Sequence, residues 1–292
     1  MGFILKLLNR MKSNKASLNK NSIKQPTTVS DYQELYKYLK SLKKNKNPVL
    51  LSIILPMYNE ENTIRSILEE IPKNESIEII IIDDHSSDNS LNEIRKVDGY
   101  GKFKIIRHLA NRGYGSAIIT GMKYATGEVI VSMDTDGQHS PDDIFNLIKP
   151  IFDGEADYTI GSRYLGSYHY RLPIATRLGE VLIEKSLHFF FGIKIMNNQN
   201  GFRAFDKELI PLFSEASFLG YAFCTEQILQ AKLSEHRILE CPIKVFDREY
   251  GYSKINLRKL TLNIFACLLI YYLKKFYLNL LKKRKSIKGF LW

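Results

Sequence analysis

Two carboxylates, Asp134 and Asp136, stand two residues apart just after the apolar run 129–133. Such a run of mostly β-branched residues reads as a buried strand. An unpaired carboxylate is costly to bury, so two acids at a strand end are either solvated or hold a hard cation through oxygen. Gly137 lets the chain turn sharply there. Ser140-Pro141-Asp142-Asp143 then opens a helix with proline near its start and acids in its first turn. A lone Asp-x-Asp is common in polar loops, so its meaning depends on what the rest of the chain brings beside it.

The surrounding elements supply that context. From residue 49 onward strands alternate with helices, which predicts an α/β fold with a mostly parallel sheet and helices on both faces. The pattern places strands at 49–55, 77–82, 103–106, 129–133, 157–160 and 238–246, with Pro242 marking the last as an edge strand. Helices are expected at 60–70, from a cap at Ser87 or Asp88 to Lys96, and at 113–125, 141–152, 170–195 and 221–233. In such sheets ligands sit beyond the carboxyl ends of the strands. The polar clusters 56–60, 83–86, 111–115 and 134–139 all fall there, which points to one shared cleft. Neither a Gly-x-Gly-x-x-Gly turn after the first strand nor a P-loop occurs, which argues against dinucleotide and P-loop binding. A nucleotide would then be held through base and ribose contacts to carboxylates and through a metal on its diphosphate.

These clusters, read together, resemble family 2 glycosyltransferases of the GT-A fold, and most of all the polyprenyl-phosphate type that includes dolichol-phosphate mannose synthase. The set is Pro56, Tyr58, Asn59, Glu60 and Glu61; Asp83, Asp84, Ser86 and Asp88; Asn111 to Gly115 with Ala117; Asp134, Asp136 to His139 and Pro141; and Gly161 to Tyr164. The match runs in order over about residues 49–254. The resemblance implies that Pro56, Tyr58, Glu60, Ile82 and Asp84 hold the nucleoside. It implies that Asp134, Asp136 and Gln138, with Thr135 between them, bind Mg2+ or Mn2+ on the sugar-nucleotide diphosphate. It further implies that Arg248 and Lys254, in a segment with Gly251 and Ser253, close over the diphosphate, and that Arg163 and Arg177 receive an acceptor phosphate. The segment 198–203 departs from the family pattern by placing Asn198 and Asn200 where acid and hydroxyl residues are usual.

The implied reaction is inverting transfer of a hexose from GDP-mannose or UDP-glucose to dolichyl or undecaprenyl phosphate, with Asp136, Arg163 and Arg248 at its centre. A lipid phosphate, with a second pKa near 6 like that of phosphoserine, is already anionic at neutral pH and needs positioning rather than a strong base. A saccharide hydroxyl acceptor would need a carboxylate base, for which Asp157 and Glu226 are the candidates. A catalytically silent nucleotide-sugar-binding membrane protein is the third reading, and the intact acidic and basic sets weigh against it.

Charge separates the ends from the middle. The chain has 292 residues and a net charge of +11. Residues 1–47 carry eleven basic and two acidic side chains, and residues 274–292 carry seven basic and none acidic, which leaves −5 for residues 48–273. Basic ends beside apolar segments suit an anionic membrane surface better than nucleic acid. The division expected is a basic extension at 1–47 with a short amphipathic segment at 2–11 and a helix at 31–44, a catalytic domain at 48–256 beginning in order at residue 49, and an amphipathic basic helix at 257–292. The apolar run 260–273 is 14 residues long, short of the roughly 20 a spanning helix needs, so an interfacial helix is expected, with docking onto the domain as the alternative. Three cysteines without Cys-x-x-Cys spacing read as reduced, packed thiols, and no secretory signal is evident, so a peripheral position on the cytoplasmic face of a membrane is expected.

Overall fold

The computed structural model describes residues 32–42, 49–168, 174–248, 250 and 257–288. The segment 2–11 and the residues Gly251, Ser253 and Lys254 lie outside these. In chain order the elements are α1 (Gln33–Leu42), β1 (Leu51–Met57), α2 (Ile64–Glu70), β2 (Ile77–Asp83), α3 (Ser90–Arg95), β3 (Lys104–Arg107), α4 (Tyr114–Tyr124), β4 (Val129–Ser132), α5 (Ile144–Phe152), β5 (Tyr158–Tyr168), α6 (Ile174–Phe191), β6 (Arg203–Asp206), α7 (Ile210–Ser214), α8 (Phe223–Leu233), β7 (Ile238–Val245) and α9 (Leu257–Lys288).

Seven strands form one sheet in the order β3-β2-β1-β4-β6-β5-β7. β1 pairs in parallel with β2 and β4, and β2 in parallel with β3. β6 runs antiparallel between β4 and β5, and β7 closes the edge parallel to β5. The sheet is therefore mostly parallel, as the alternation of elements requires. Side chains of a strand alternate between faces, and here this sorts the core into two layers. Leu51, Ile53, Leu55, Ile79 and Ile81 face one layer with α1, α2, α3 and α5. Ile54, Ile80, Ile82 and Ile130 face the other, with α4, α6, α8 and α9. Helix α5 shows why such segments are helical: Ile144, Leu147, Ile148 and Ile151 repeat at helical spacing and bury one stripe.

Several features differ from the sequence expectation. β6 was not expected, because four residues held between two partners need no alternating pattern. β5 runs on to Tyr168 rather than stopping at residue 160, since β7 continues to pair with it beyond an irregularity between Ser162 and Ser167. Order begins before residue 49: Tyr32, Leu35 and Leu39 are buried in the core, and the Tyr32 hydroxyl donates to the Glu70 carbonyl at 2.7 Å. Neither Ser87 nor Asp88 is the N-cap of α3, a position held by Asn89. Asp88 instead accepts from the Ser90 amide at 3.0 Å and the Glu61 amide at 3.1 Å, so it serves the loop after β1 as well as the helix.

Helix α9 combines the two alternatives. Ile264, Cys267, Leu268 and Tyr271, on one helical stripe, are buried against the domain. Much of the rest is apolar and exposed, including Leu262, Leu269, Leu273, Phe276 and Tyr277. Over Arg258–Leu281 the helix is long and apolar enough to cross a membrane, with 22% of its most apolar window buried. The 14-residue count was too short because the helix continues through Lys274 and Lys275, whose ammonium groups turn back: Lys275 Nζ donates to the Phe190 carbonyl at 2.6 Å, and Lys274 Nζ lies 4.4 Å from the Tyr271 ring centre.

Candidate active site

The loops at the carboxyl ends of β1, β2 and β4 are tied to one another. The Thr135 hydroxyl donates to the Pro56 carbonyl at 2.8 Å, and the Thr63 hydroxyl donates to the Thr135 carbonyl at 2.7 Å. Asn59 adopts a left-handed φ of 55° and accepts from the Ser87 amide at 2.8 Å. A further link joins the acidic loop to the end of β7: the Phe246 amide donates to the Gln138 carbonyl at 2.9 Å. That link brings Asp247 and Arg248 across from the acids, and Arg248 Nη2 meets Asp136 Oδ2 at 2.5 Å.

Asp134 and Asp136 share the cleft wall. Burial, and next the charge of Asp136, push the Asp134 carboxyl up to about 7, while Arg248 and Arg203 oppose this. The pair thus carries more negative charge than the site tolerates at neutral pH, and a hard cation fits that deficit. Gly201 makes room for the Asp134 carboxylate: a Cβ there would lie 2.4 Å from Asp134 Oδ1. The third expected ligand, Gln138, lines the cleft and is oriented by its Nε2, which donates to the Phe246 carbonyl at 3.2 Å. Among the described residues no group of three or more His, Cys, Asp or Glu is arranged to hold a metal. Two carboxylates, completed by substrate phosphates and water, are the donor set that Mg2+ favours.

At the end expected to hold the nucleoside, Pro56, Tyr58, Glu60 and Asp84 line the cleft. Asp84 is largely engaged: it accepts from the amides of Arg112 and Gly113, each at 2.8 Å, and its Oδ1 lies 2.7 Å from His108 Nδ1. It therefore also fixes the loop that leads into α4. Ile82 does not reach the cleft, because its side chain points into the core with no exposed area. Thr135, by contrast, lines the cleft although it is mostly buried, and its hydroxyl serves the tie to Pro56.

At the opposite end, Arg163 and Glu180 line the cleft, whereas Arg177 stands behind them. Arg163 Nη2 and the Tyr164 hydroxyl both bond the Glu180 carboxylate. Arg177 Nη1 is 3.7 Å from Glu180 Oε2, and its guanidinium lies 4.1 Å from the Tyr164 ring centre. Neither expected base reaches the cleft lining. Asp157 sits where β5 begins, paired with Arg237. Glu226 is buried and accepts from the amides of Ser217 at 3.0 Å and Phe218 at 2.8 Å and from the Tyr271 hydroxyl at 3.0 Å.

Several site residues were not singled out from the sequence. Tyr221 lines the cleft and stacks on Tyr114, with centroids 5.3 Å apart and planes 13° from parallel. Arg203 is wholly buried and holds the turn around Asp134's neighbour Gly201, donating to the carbonyls of Asn198 and Cys224 at 2.8 Å and of Asn200 at 2.5 Å. Glu180 carried a sequence signal, since it lies three residues after Arg177 on a helix and so shares its face. The Tyr114–Tyr221 pair carried none, being separated by more than a hundred residues.

The lining residues enclose one cleft of about 1030 Å³. It runs from Tyr58 and Glu60 past the acidic pair to Arg163, then between Leu182, Ile183 and Ser186 of α6 and Leu260, Ile264, Phe265 and Leu268 of α9.

The family model for glycosyl transferase family 2 matches residues 52–212, more than half of the chain. The chain belongs to this family. It is 31% identical over 223 residues to the UDP-N-acetylglucosamine–dolichyl-phosphate N-acetylglucosaminyltransferase of Methanococcus voltae, covering 70% of this chain and 89% of that protein. It is 31% identical over 214 residues to the dolichol-phosphate mannosyltransferase of Pyrococcus furiosus, covering 70% and 59%. Among solved structures, the glucosyl-3-phosphoglycerate synthase of Mycobacterium tuberculosis with Mn2+ and UDP-glucose superimposes with a TM-score of 0.63 at 18% identity, covering 85% of this chain and 84% of that one. At that identity the likeness concerns the fold, which is GT-A.

Proposed function

We propose that this glycosyltransferase moves a sugar from a nucleotide diphosphate donor to a polyprenyl phosphate at a membrane surface. One observation carries the reading: the cleft that begins among carboxylates and loop backbone ends in an apolar slot between α6 and α9, with the cation Arg163 at the junction. A donor with a charged diphosphate suits the first part, a long apolar acceptor suits the last, and a phosphate suits the cation between them. The relatives whose names specify dolichyl-phosphate or dolichol-phosphate transfer support the same acceptor class.

In this reading the acceptor phosphate oxygen attacks the anomeric carbon from the face opposite the diphosphate. The C–O bond to the diphosphate breaks, and the bonding pair leaves with it. A divalent cation held by Asp134 and Asp136 would supply charge stabilisation on the leaving diphosphate. Arg248, now paired with Asp136, would clamp the same phosphates, with Lys254 as a second candidate. Arg163 aligns the acceptor, and Arg177 supports it through Tyr164 and Glu180. A phosphate dianion needs no proton removed, which agrees with Asp157 and Glu226 being committed elsewhere.

The exposed apolar flank of α9, its basic end, and Leu178, Leu182 and Phe189 on α6 support an interfacial position, with docking keeping the helix beside the domain. Three buried, unbridged cysteines suit the cytoplasmic face. The donor named for the Methanococcus voltae relative makes a UDP-sugar the first to test. Purified protein would be incubated with Mn2+, undecaprenyl phosphate and radiolabelled UDP-N-acetylglucosamine, UDP-glucose or GDP-mannose. Label that partitions into organic solvent without any added saccharide is the expected result. Label transferred only to a saccharide would overturn the lipid acceptor, and no transfer from any donor would favour a silent binding protein.

A further inference from the structure

The segment 197–201 joins the two halves of the cleft. At one end Gly201 packs against the Asp134 carboxylate. Elsewhere it is tied to the strand and helix that carry Arg163 and Glu180: Asn200 Nδ2 donates to the Gly161 carbonyl at 2.8 Å, and Asn198 Nδ2 to the Glu180 carbonyl at 3.5 Å. In the transfer described above the hexose is bonded to the diphosphate on one side and met by the acceptor on the other. It therefore lies alongside this segment.

Most polar side chains of the segment are spent on the protein. Asn197 and Asn198 are buried. Asn200 reaches the cleft lining, but its Nδ2 serves Gly161 and its Oδ1 accepts from the Phe202 amide at 2.9 Å. Gln199 differs, because it lines the cleft and stays partly exposed. Its Nε2 donates to Thr225 Oγ1 at 2.6 Å, to Asn198 Oδ1 at 3.3 Å and to the Asn198 carbonyl at 3.4 Å. A backbone carbonyl only accepts, so that pairing fixes which end of the amide is nitrogen. Among the described residues Gln199 Oε1 accepts from no donor.

We propose that Gln199 is a specificity-determining residue for the donor sugar, its Oε1 accepting a hydrogen bond from a ring hydroxyl or an acetamido N–H of the hexose. The proposal rests on the nucleotide-sugar reading of the cleft. Thr225 acts as a positioning residue, since its hydroxyl holds the amide nitrogen and so aims the oxygen. Other residues meet the nucleoside and the diphosphate, which leaves Gln199 to act on the sugar alone. A site that hydrogen-bonds one polar group of its substrate rejects an analogue lacking that group more strongly than an apolar pocket does.

Calorimetric titration of the full chain in Mn2+ separates sugar from nucleotide. Each sugar nucleotide that the wild type binds, among UDP-N-acetylglucosamine, UDP-glucose and GDP-mannose, is compared with its parent UDP or GDP. In Gln199→Met the sugar nucleotide should lose about three- to tenfold in affinity, while the parent diphosphate changes by less than about twofold. Gln199→Ala should give the same split and serves as the second variant if the first does not fold. A loss confined to UDP-N-acetylglucosamine identifies the acetamido N–H as the donor, and a loss shared with UDP-glucose identifies a hydroxyl. A folded variant in which sugar nucleotide and parent diphosphate weaken together, or in which neither weakens, would overturn the proposal. Failure of folded wild-type protein to bind any of the sugar nucleotides is a distinct outcome, and it would overturn the nucleotide-sugar reading itself along with the role built on it.

Discussion

At the scale of single residues, the site depends on side chains whose loss removes a definite set of partners. Asp136 is the clearest. Asp136→Ala removes both a carboxylate of the acidic pair and the partner of Arg248. Transfer should fall below detection and nucleotide affinity should lose its dependence on Mn2+, measured by calorimetry with and without chelator; full activity would refute the assignment. Gly201→Ala is a subtler probe. Its Cβ would meet the Asp134 carboxylate, so Mn2+-dependent nucleotide affinity should drop by about tenfold or more. The acidic pair was legible in the sequence because a strand and two acids are adjacent in the chain. Arg203 and Glu180 were not read that way, since what makes them matter is the carbonyls and cations that distant segments bring to them. Asp143 offers a pH test away from the cleft. Burial raises its carboxyl to about 6, with the Lys244 amide, 2.7 Å away, opposing this. Stability from such a group is complete below the unfolded value near 4 and is lost as pH rises through 6. Across that window the wild type should lose up to about 3 kcal/mol that Asp143→Asn does not, read from denaturant unfolding at pH 4 and pH 7.

Elements position these residues by ties between loops. The carboxyl ends of β1 and β4 are joined through Thr135, and the end of β7 is joined to the acidic loop through Phe246 and Gln138. The strand pattern made the parallel half of the sheet readable, since continuous apolar runs such as 79–82 belong to strands covered on both faces. β6 and the outer part of β5 were not readable, because their length is set by pairing partners rather than by their own periodicity. Helix α9 shows the same limit: composition displayed its apolar character, but only packing shows that one stripe belongs to the core. Tyr271→Phe tests that packing. Glu226 would keep two backbone donors and lose its third partner, at a cost of about 1–2 kcal/mol in denaturant unfolding.

For the whole molecule, the separation of charge and greasy surface predicts how it meets lipid. The exposed flank of α9 and the adjacent face of α6 lie beside basic residues. Binding to vesicles containing anionic lipid should weaken as salt shortens the Debye length from about 10 Å at 0.1 M to about 3 Å at 1 M. Leu273→Lys with Phe276→Lys should reduce vesicle flotation further while leaving thermal unfolding and nucleotide affinity unchanged, because both side chains are exposed. Unaltered flotation would count against the membrane reading. The bond between Tyr271 and Glu226 carries one more consequence. The same carboxylate fastens residues 217 and 218, which lead to Tyr221 in the cleft. The C-terminal helix is therefore not an interchangeable module. A chimera that swaps it for an unrelated anchor would inherit a buried acid short of a donor beside the loop that carries Tyr221, so grafting or shuffling this helix between relatives should succeed only when the tyrosine travels with it.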